Sequence, residues 1–174
     1  MALATIRMAD GGVMVFRLYP RRMPVTVANF ADLANSGFYD GLTFCRVVRG
    51  YVIQGGSPDN DIMTDSAFHI RGEFALNGHP AGVSHCRGAL SMARDEAFDT
   101  AGTQFFIVHR DAVRLDSRYA AFGRLLTGFR VLDAIASVPT EGPDRWNRPL
   151  ILPVIASVRV TARPGGIPPV VRLP

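Results

Sequence analysis

The sequence contains no lysine: all nineteen basic side chains are arginine. Without lysine there can be no Walker A loop, whose lysine reaches the phosphates of a nucleotide. The arginines are scattered, with only Arg21 and Arg22 adjacent, so the clustered basic face of a nucleic-acid binder is missing. Cysteine is scarce as well. Cys45 and Cys86 each stand alone without a CxxC partner; they read as two reduced, buried thiols, with a disulfide between them as the alternative. No apolar run approaches the roughly 20 residues that a membrane span needs. Residues 1–10 lack the basic head and apolar stretch of a secretory signal, and there is no Asn-x-Ser/Thr sequon. These absences point to a cytoplasmic protein with neither nucleic acid nor membrane as a partner, and a monomer is the default.

What is there suits a single soluble domain. The chain has 174 residues, 48% apolar and 20% charged, with a net charge of +4. That length buries a proper core. Thr5 to Arg7 and Val13 to Leu18 read as strands joined by a turn at Asp10-Gly11-Gly12. Pro24 to Ala34 reads as a helix, with proline near its start and Gly37 ending it. Thr43 to Val48 and Tyr51 to Gln54 form a second hairpin around Arg49-Gly50. Gly55 to Ser66 is a polar loop, and Asn77-Gly78 marks a further turn. Ala89 to Ala93, Gln104 to His109, Ala120 to Arg124 and Pro153 to Val160 read as strands. Gly128 to Ser137 is a second helix, with Val131, Leu132 and Ile135 facing inward. Many short strands with turn signals and only two helices predict a mainly β protein, a closed antiparallel barrel. After Thr161 the proline and glycine content rises. This predicts a domain over 1–161 and an extended tail over 162–174.

Several motif matches fail. His109-Arg110-Asp111 looks like a kinase catalytic loop, but Asp116 stands where that loop needs asparagine. Asp59-Asn60-Asp61 looks like the start of a calcium loop, but Met63 and Thr64 occupy a ligand position and the glycine position. The histidines at 69, 79, 85 and 109 lack metal-ligand spacing. His85, beside Cys86, reads as structural. No serine, histidine and aspartate stand out as a hydrolytic set.

Two blocks carry the functional signal. Phe44 to Gly56 reads FCRVVRGYVIQGG. Leu90 to Phe106 reads LSMARDEAFDTAGTQFF, followed by RLDSRYAAFG from Arg114 to Gly123. With TVANF in the first helix and GEF at Gly72 to Phe74, they resemble the active-site segments of cyclophilins, particularly bacterial and short cytosolic members. The resemblance runs from about Ala4 to Arg159. It implies an eight-stranded antiparallel barrel capped by two helices, and peptidyl-prolyl cis/trans isomerase activity without metal or cofactor. It places Arg46 on the catalytic arginine and Gln54 on the glutamine that orients it. Tyr51 and Val52 fall on a Phe-Met pair lining the proline pocket. Ala93 and Arg94 match a peptide-binding Ala-Asn pair. Gln104 and Phe106 match a glutamine and the pocket-floor phenylalanine. Leu115 and Tyr119 match a leucine and a histidine of the pocket wall. Arg114 replaces a tryptophan that contacts cyclosporin in many members, so the implied drug binding is weakened. Val52 leaves a shorter wall, and the 57–66 loop lacks the usual glycine-rich run, which reshapes the neighbouring specificity pocket.

The chemistry supports the same residues. Resonance gives the peptide bond a rotation barrier of roughly 18–20 kcal/mol. Catalysis needs only a site that binds the twisted amide better than either planar form. When the amide twists, the proline nitrogen regains a lone pair and accepts a hydrogen bond, which a fixed guanidinium can donate. If the second hairpin centres on Gly50, facing residues sum to 100 and Arg46 lies opposite Gln54. Phe105 and Phe106 alternate, one inward to the core and one outward to the groove. Arg46, Arg94 and Arg114 could together ring the groove and favour acidic flanks around the substrate proline. Proline-containing peptides and unfolded proteins are the expected partners. The alternative function is a Pro-peptide binding module or assembly subunit with little turnover.

Overall fold

A computed structural model describes residues 1–80 and 82–173. Eight strands form one sheet: β1 (Ala2–Met8), β2 (Val13–Leu18), β3 (Phe44–Val48), β4 (Val52–Gly55), β5 (Ala89–Met92), β6 (Phe105–Val108), β7 (Ala121–Thr127) and β8 (Ile155–Ala162). Two α-helices, α1 (Pro24–Asn35) and α2 (Phe129–Ala136), complete it. The strand order is β3-β4-β6-β5-β7-β2-β1-β8, and all neighbours run antiparallel.

Strong alternation explains the curl. In β1 the residues at positions 2, 4, 6 and 8 are buried while those between are partly or fully exposed, so one face of the sheet closes on a core. Helix α1 plugs that core with Phe30, whose ring centroid lies 5.6 Å from Phe105, 5.1 Å from Phe122 and 5.4 Å from Tyr39. The helix has no side-chain cap of its own. Buried Glu73 supplies one from far along the chain: its carboxylate accepts the Val25 N–H at 3.1 Å, the Thr26 N–H at 2.8 Å and the Thr26 hydroxyl at 2.7 Å. A negative charge at a helix N-terminus is favourable on both hydrogen-bonding and dipole grounds. Gly37, at φ +81°, closes the other end of α1, where the Phe38 N–H donates to the Leu33 carbonyl at 3.0 Å. In α2, Leu132 and Ile135 are buried, and half-buried Val131 packs on the same core.

The expected closed barrel is instead a curled sheet with a partial seam. The terminal strands β3 and β8 do not pair along their lengths. Their first residues and the segments leading into them meet around the isolated bridge Thr43–Val154: the Phe44 N–H donates to the Pro153 carbonyl at 3.0 Å, the Ile155 N–H to the Leu42 carbonyl at 2.8 Å and the Gly41 N–H to the Ile155 carbonyl at 2.8 Å. Pro153 has no N–H with which to extend a ladder. Farther along β3, the Val47 N–H is taken by the Asn147 carbonyl of the 142–148 loop at 3.0 Å. That loop therefore occupies the place of a closing strand.

The segment after β8 runs extended along α1. The Arg172 guanidinium donates to Asn29 at 3.0 Å, pairs with Asp32 at 2.6 Å and stands 4.0 Å from the centroid of Phe68. Leu173 bridges to His69. Cys45 is buried and Cys86 half-buried, and both are free thiols.

Candidate active site

The outer face of the sheet carries a second, smaller apolar cluster, separate from the main core. Val52, Ala89, Phe106, Val108, Ala112 and Leu115 are buried in it, with Tyr51, Ala93 and Tyr119 packed alongside. Strand β6 shows how the sequence divides the two: Phe105 joins the core at 0% exposure and Phe106 joins the outer cluster at 5%. A cavity of about 310 Å³ opens over this cluster.

Hairpin β3–β4 brings a charge to its edge. Gly50 takes φ +81° at the turn, which only glycine does without strain. The ladder pairs Arg46 with Gln54, Val47 with Ile53 and Val48 with Val52, and the next strand pairs Gln54 with Phe106. Arg46, Gln54 and Phe106 therefore stand side by side across three strands. The side chains continue the row. Arg46 Nη1 donates to Gln54 Oε1 at 3.2 Å, and Gln54 Nε2 donates to Gln104 Oε1 at 3.0 Å. Gln104 Nε2 donates in turn to the carbonyls of Ile62 at 3.2 Å and Thr64 at 3.0 Å. This relay ties the guanidinium to the 57–66 loop. Among the described residues the bond to Gln54 is the one hydrogen bond the guanidinium makes, and its buried Nε has no hydrogen-bond partner.

The outer cluster rests on a polar layer centred on His85, the one member that the sequence marks as structural. His85 is fully buried and its ring stacks with Phe106, centroids 5.9 Å apart and planes 18° apart. Its Nδ1 lies 2.8 Å from Asp116 Oδ1 and its Nε2 lies 2.9 Å from Ser91 Oγ. A carboxylate can only accept, so Nδ1 carries the proton and Nε2 accepts the Ser91 hydroxyl. Asp116 also accepts the His85 N–H at 2.7 Å and the Ser84 hydroxyl at 2.8 Å. Burial holds the His85 pKa below its ordinary value, against the opposing effects of Asp116. Burial pushes Asp116 up, but its hydrogen bonds from His85 and Ser84 outweigh this and leave it low. With Ser91 at 0% exposure, this serine, histidine and aspartate form a support rather than a nucleophile. Tyr119 meets Phe106 edge-on at 5.7 Å.

Ten of the eleven residues singled out from sequence line the cavity: Arg46, Tyr51, Val52, Gln54, Ala93, Arg94, Gln104, Phe106, Leu115 and Tyr119. Arg114 is not among them; its guanidinium lies over the Tyr51 ring, 4.4 Å from the centroid. Arg46 and Arg94 line the cavity without Arg114, so the three do not together ring it. Arg94 donates to the carbonyls of Arg118, Asp95 and Glu96, and its guanidinium is 4.8 Å from the centroids of both Phe74 and Tyr119. It is held by the wall. The Ala93 N–H is taken by the Gln104 carbonyl at 3.0 Å. Residues 62–66, from the loop that the sequence places beside the pocket without singling out a residue, also line the cavity, and sequence reasoning missed Asp95, Thr100, Gly102 and Trp146. All of these come from irregular segments, where periodicity gives no signal.

Comparison with known proteins names this arrangement. The family described as cyclophilin type peptidyl-prolyl cis-trans isomerase/CLD matches residues 3–160. Peptidyl-prolyl cis-trans isomerase B of Bacillus subtilis (strain 168) is 46% identical over 139 residues, covering 76% of this chain and 94% of its own. A peptidyl-prolyl cis-trans isomerase of Helicobacter pylori is 38% identical over 136 residues, covering 77% and 80%. Among solved structures, a Cryptosporidium parvum cyclophilin type isomerase determined in the presence of the dipeptide Ala-Pro superposes with a TM-score of 0.81. Its identity is 26%, over 92% of this chain and 99% of its own. The chain belongs to the cyclophilin-type peptidyl-prolyl cis-trans isomerases. Its activity is the isomerisation of prolyl peptide bonds, as a helper of protein folding.

Proposed function

We propose that Arg46, standing beside a proline seat floored by Phe106, carries the isomerase activity, and that the substrates are Xaa-Pro bonds in unfolded or flexible segments of other proteins. The observation that carries this reading is the relay Gln104–Gln54–Arg46 along the edge of the apolar cluster. It fixes one side of the guanidinium and leaves other donors for a ligand. The Ala-Pro dipeptide present with the Cryptosporidium relative supports proline as the ligand.

The mechanism follows from what rotation requires. No bond breaks and no proton moves; the amide loses resonance as it twists, and the proline nitrogen turns pyramidal with an accepting lone pair. Arg46 donates to that lone pair, a bond stronger in the twisted state than in either planar one. A charge-assisted hydrogen bond contributes roughly 1.5–3 kcal/mol, and about 1.36 kcal/mol corresponds to tenfold in rate. Arg46 therefore supplies about ten- to a hundredfold. The seat supplies the rest: Phe106, Leu115, Val52 and the half-buried Tyr51 and Tyr119 hold the proline ring while the preceding carbonyl swings. Beneath them, the His85 stack keeps the Phe106 ring in place.

Within the same proposal, residues 1–161 are the isomerase domain and 162–174 an appended segment of a cytoplasmic monomer. Cyclosporin binds weakly, because Arg114 already covers Tyr51. Among the described residues no helix is long and apolar enough to cross a membrane. The test is refolding of a protein limited by a slow Xaa-Pro step, which takes roughly 10–100 s uncatalysed. Catalytic amounts of the chain shorten that phase, and Arg46→Ala is at least tenfold less effective. Peptide binding without acceleration would instead assign a Pro-peptide binding module or assembly subunit.

A further inference from the structure

Trp146 takes no part in the mechanism above, yet it lines the same cavity as Arg46. It is the only tryptophan in the chain, and it stands 54% exposed. Its exposure is imposed by a pinned turn. Trp146 and Asn147 adopt φ +56° and +53° in succession, which side-chain-bearing residues do only when their surroundings compel it. The Trp146 N–H donates to the Pro143 carbonyl at 3.0 Å and the Asn147 N–H to the Gly142 carbonyl at 2.8 Å. The Asn147 carbonyl accepts from Val47, the neighbour of Arg46, at 3.0 Å. Arg148 Nη1 donates to the Asn60 carbonyl at 2.7 Å, stitching the turn to the 57–66 loop. From that loop Met63, 67% exposed, and Ile62 also line the cavity.

The ladder gives the position of this lobe. Phe106 neighbours Gln54, Gln54 neighbours Arg46, and beyond Arg46 comes the Trp146 turn. Each step is about 4.8 Å, so the turn's backbone lies about 14 Å from that of Phe106. An extended peptide advances about 3.3 Å per residue, and the long side chain of tryptophan shortens the gap. A ligand whose proline sits over Phe106 brings a residue two or three positions away onto this lobe. Trp146, Met63 and Ile62 are the apolar members of this part of the lining, beside Thr64 and Asp65, and an exposed indole offers a large, stiff face for an apolar side chain.

We propose that Trp146, with Met63 and Ile62, is a specificity subsite that takes an apolar, preferably aromatic, side chain flanking the substrate proline. The inference rests on the isomerase reading of the same groove, and its test separates the two. Peptides with Ala-Pro at the centre carry Phe, Leu, Ser or Asp at each of the three positions on either side. Binding is followed by Trp146 fluorescence and independently by calorimetry, and turnover by exchange spectroscopy. The expected result is a change in indole emission with the same dissociation constant as calorimetry, and at least fivefold tighter binding for Phe or Leu over Ser or Asp at one position. Trp146→Ala brings that ratio near one, and Trp146→Phe restores most of it, with circular dichroism confirming that both fold. Calorimetric binding without any fluorescence change, or a preference that survives Trp146→Ala, overturns the subsite. Loss of turnover on every peptide while the fluorescence preference persists overturns the isomerase reading and leaves the subsite standing.

Discussion

Arg46 and His85 sit at the two ends of what a sequence shows about single residues. Arg46 lies in a hairpin whose turn is marked by glycine, so its partner Gln54 follows from counting, and the ladder pairs the two. His85 offers no such handle. Its partners Ser91 and Asp116 are six and thirty-one positions away, and only the fold brings them together beneath Phe106. The consequence is a dependence on pH. The His85 pKa in the folded protein is below the ordinary 6.5 because burial disfavours the charged ring, so the unfolded chain takes up the proton first. Stability is full above about pH 6.5 and falls as pH drops from there toward the folded value. Asp116, also depressed, adds a loss of the same sign below its ordinary 3.8. Urea unfolding between pH 7.5 and 5 shows this as a decline in stability, and His85→Gln makes the decline shallower. An unchanged slope in the variant would contradict the assignment.

Strand β6 makes the same point for elements. Alternation along Gln104-Phe105-Phe106 is visible in the sequence, and period two sends neighbouring aromatics to opposite faces. Phe105→Ala opens a hole among Phe30, Tyr39 and Phe44 and costs about 3–5 kcal/mol of stability. Phe106→Ala costs less stability but removes the floor of the seat, which appears as a raised KM for Xaa-Pro peptides. Comparing the two by thermal melting and steady-state kinetics checks the division; equal effects on stability and on KM would refute it. The edges of elements were less legible. β8 begins at Ile155, two residues later than expected, because Pro153 and Val154 serve the seam instead. The cap of α1 was hidden because its carboxylate, Glu73, comes from a distant segment rather than from the helix start.

For the whole molecule, pattern and turn signals give a mainly β fold, but strand order depends on pairings between distant segments. The partial seam between β3 and β8, filled by the 142–148 loop, is the clearest example. That loop also delivers Trp146 to the groove, which explains why the sequence left it unnoticed. The C-terminal segment is a second case: composition predicts an extended tail, and Arg172 docks it on α1. An exposed ion pair contributes about 0.2–1 kcal/mol and a cation–π contact about 0.5–1 kcal/mol. Arg172→Ala therefore lowers Tm by about 1–8 °C in a chain of this size. Because Arg172 docks on α1 and does not itself line the cavity, kcat/KM stays unchanged. A melt and an isomerase assay on the same preparation check both halves.

The central claim is that the Arg46 guanidinium, held by Gln54, recognises the twisted prolyl amide better than the planar one. It is tested most directly by exchange spectroscopy on a short Ala-Pro peptide, with binding and turnover measured together for wild type, Arg46→Ala and Gln54→Ala. The account predicts that Arg46→Ala lowers turnover at least tenfold while peptide affinity changes less than threefold. Gln54→Ala should show a smaller loss of the same kind, about three- to tenfold. Unchanged turnover in Arg46→Ala, or a loss that appears entirely as weakened peptide binding, would contradict it.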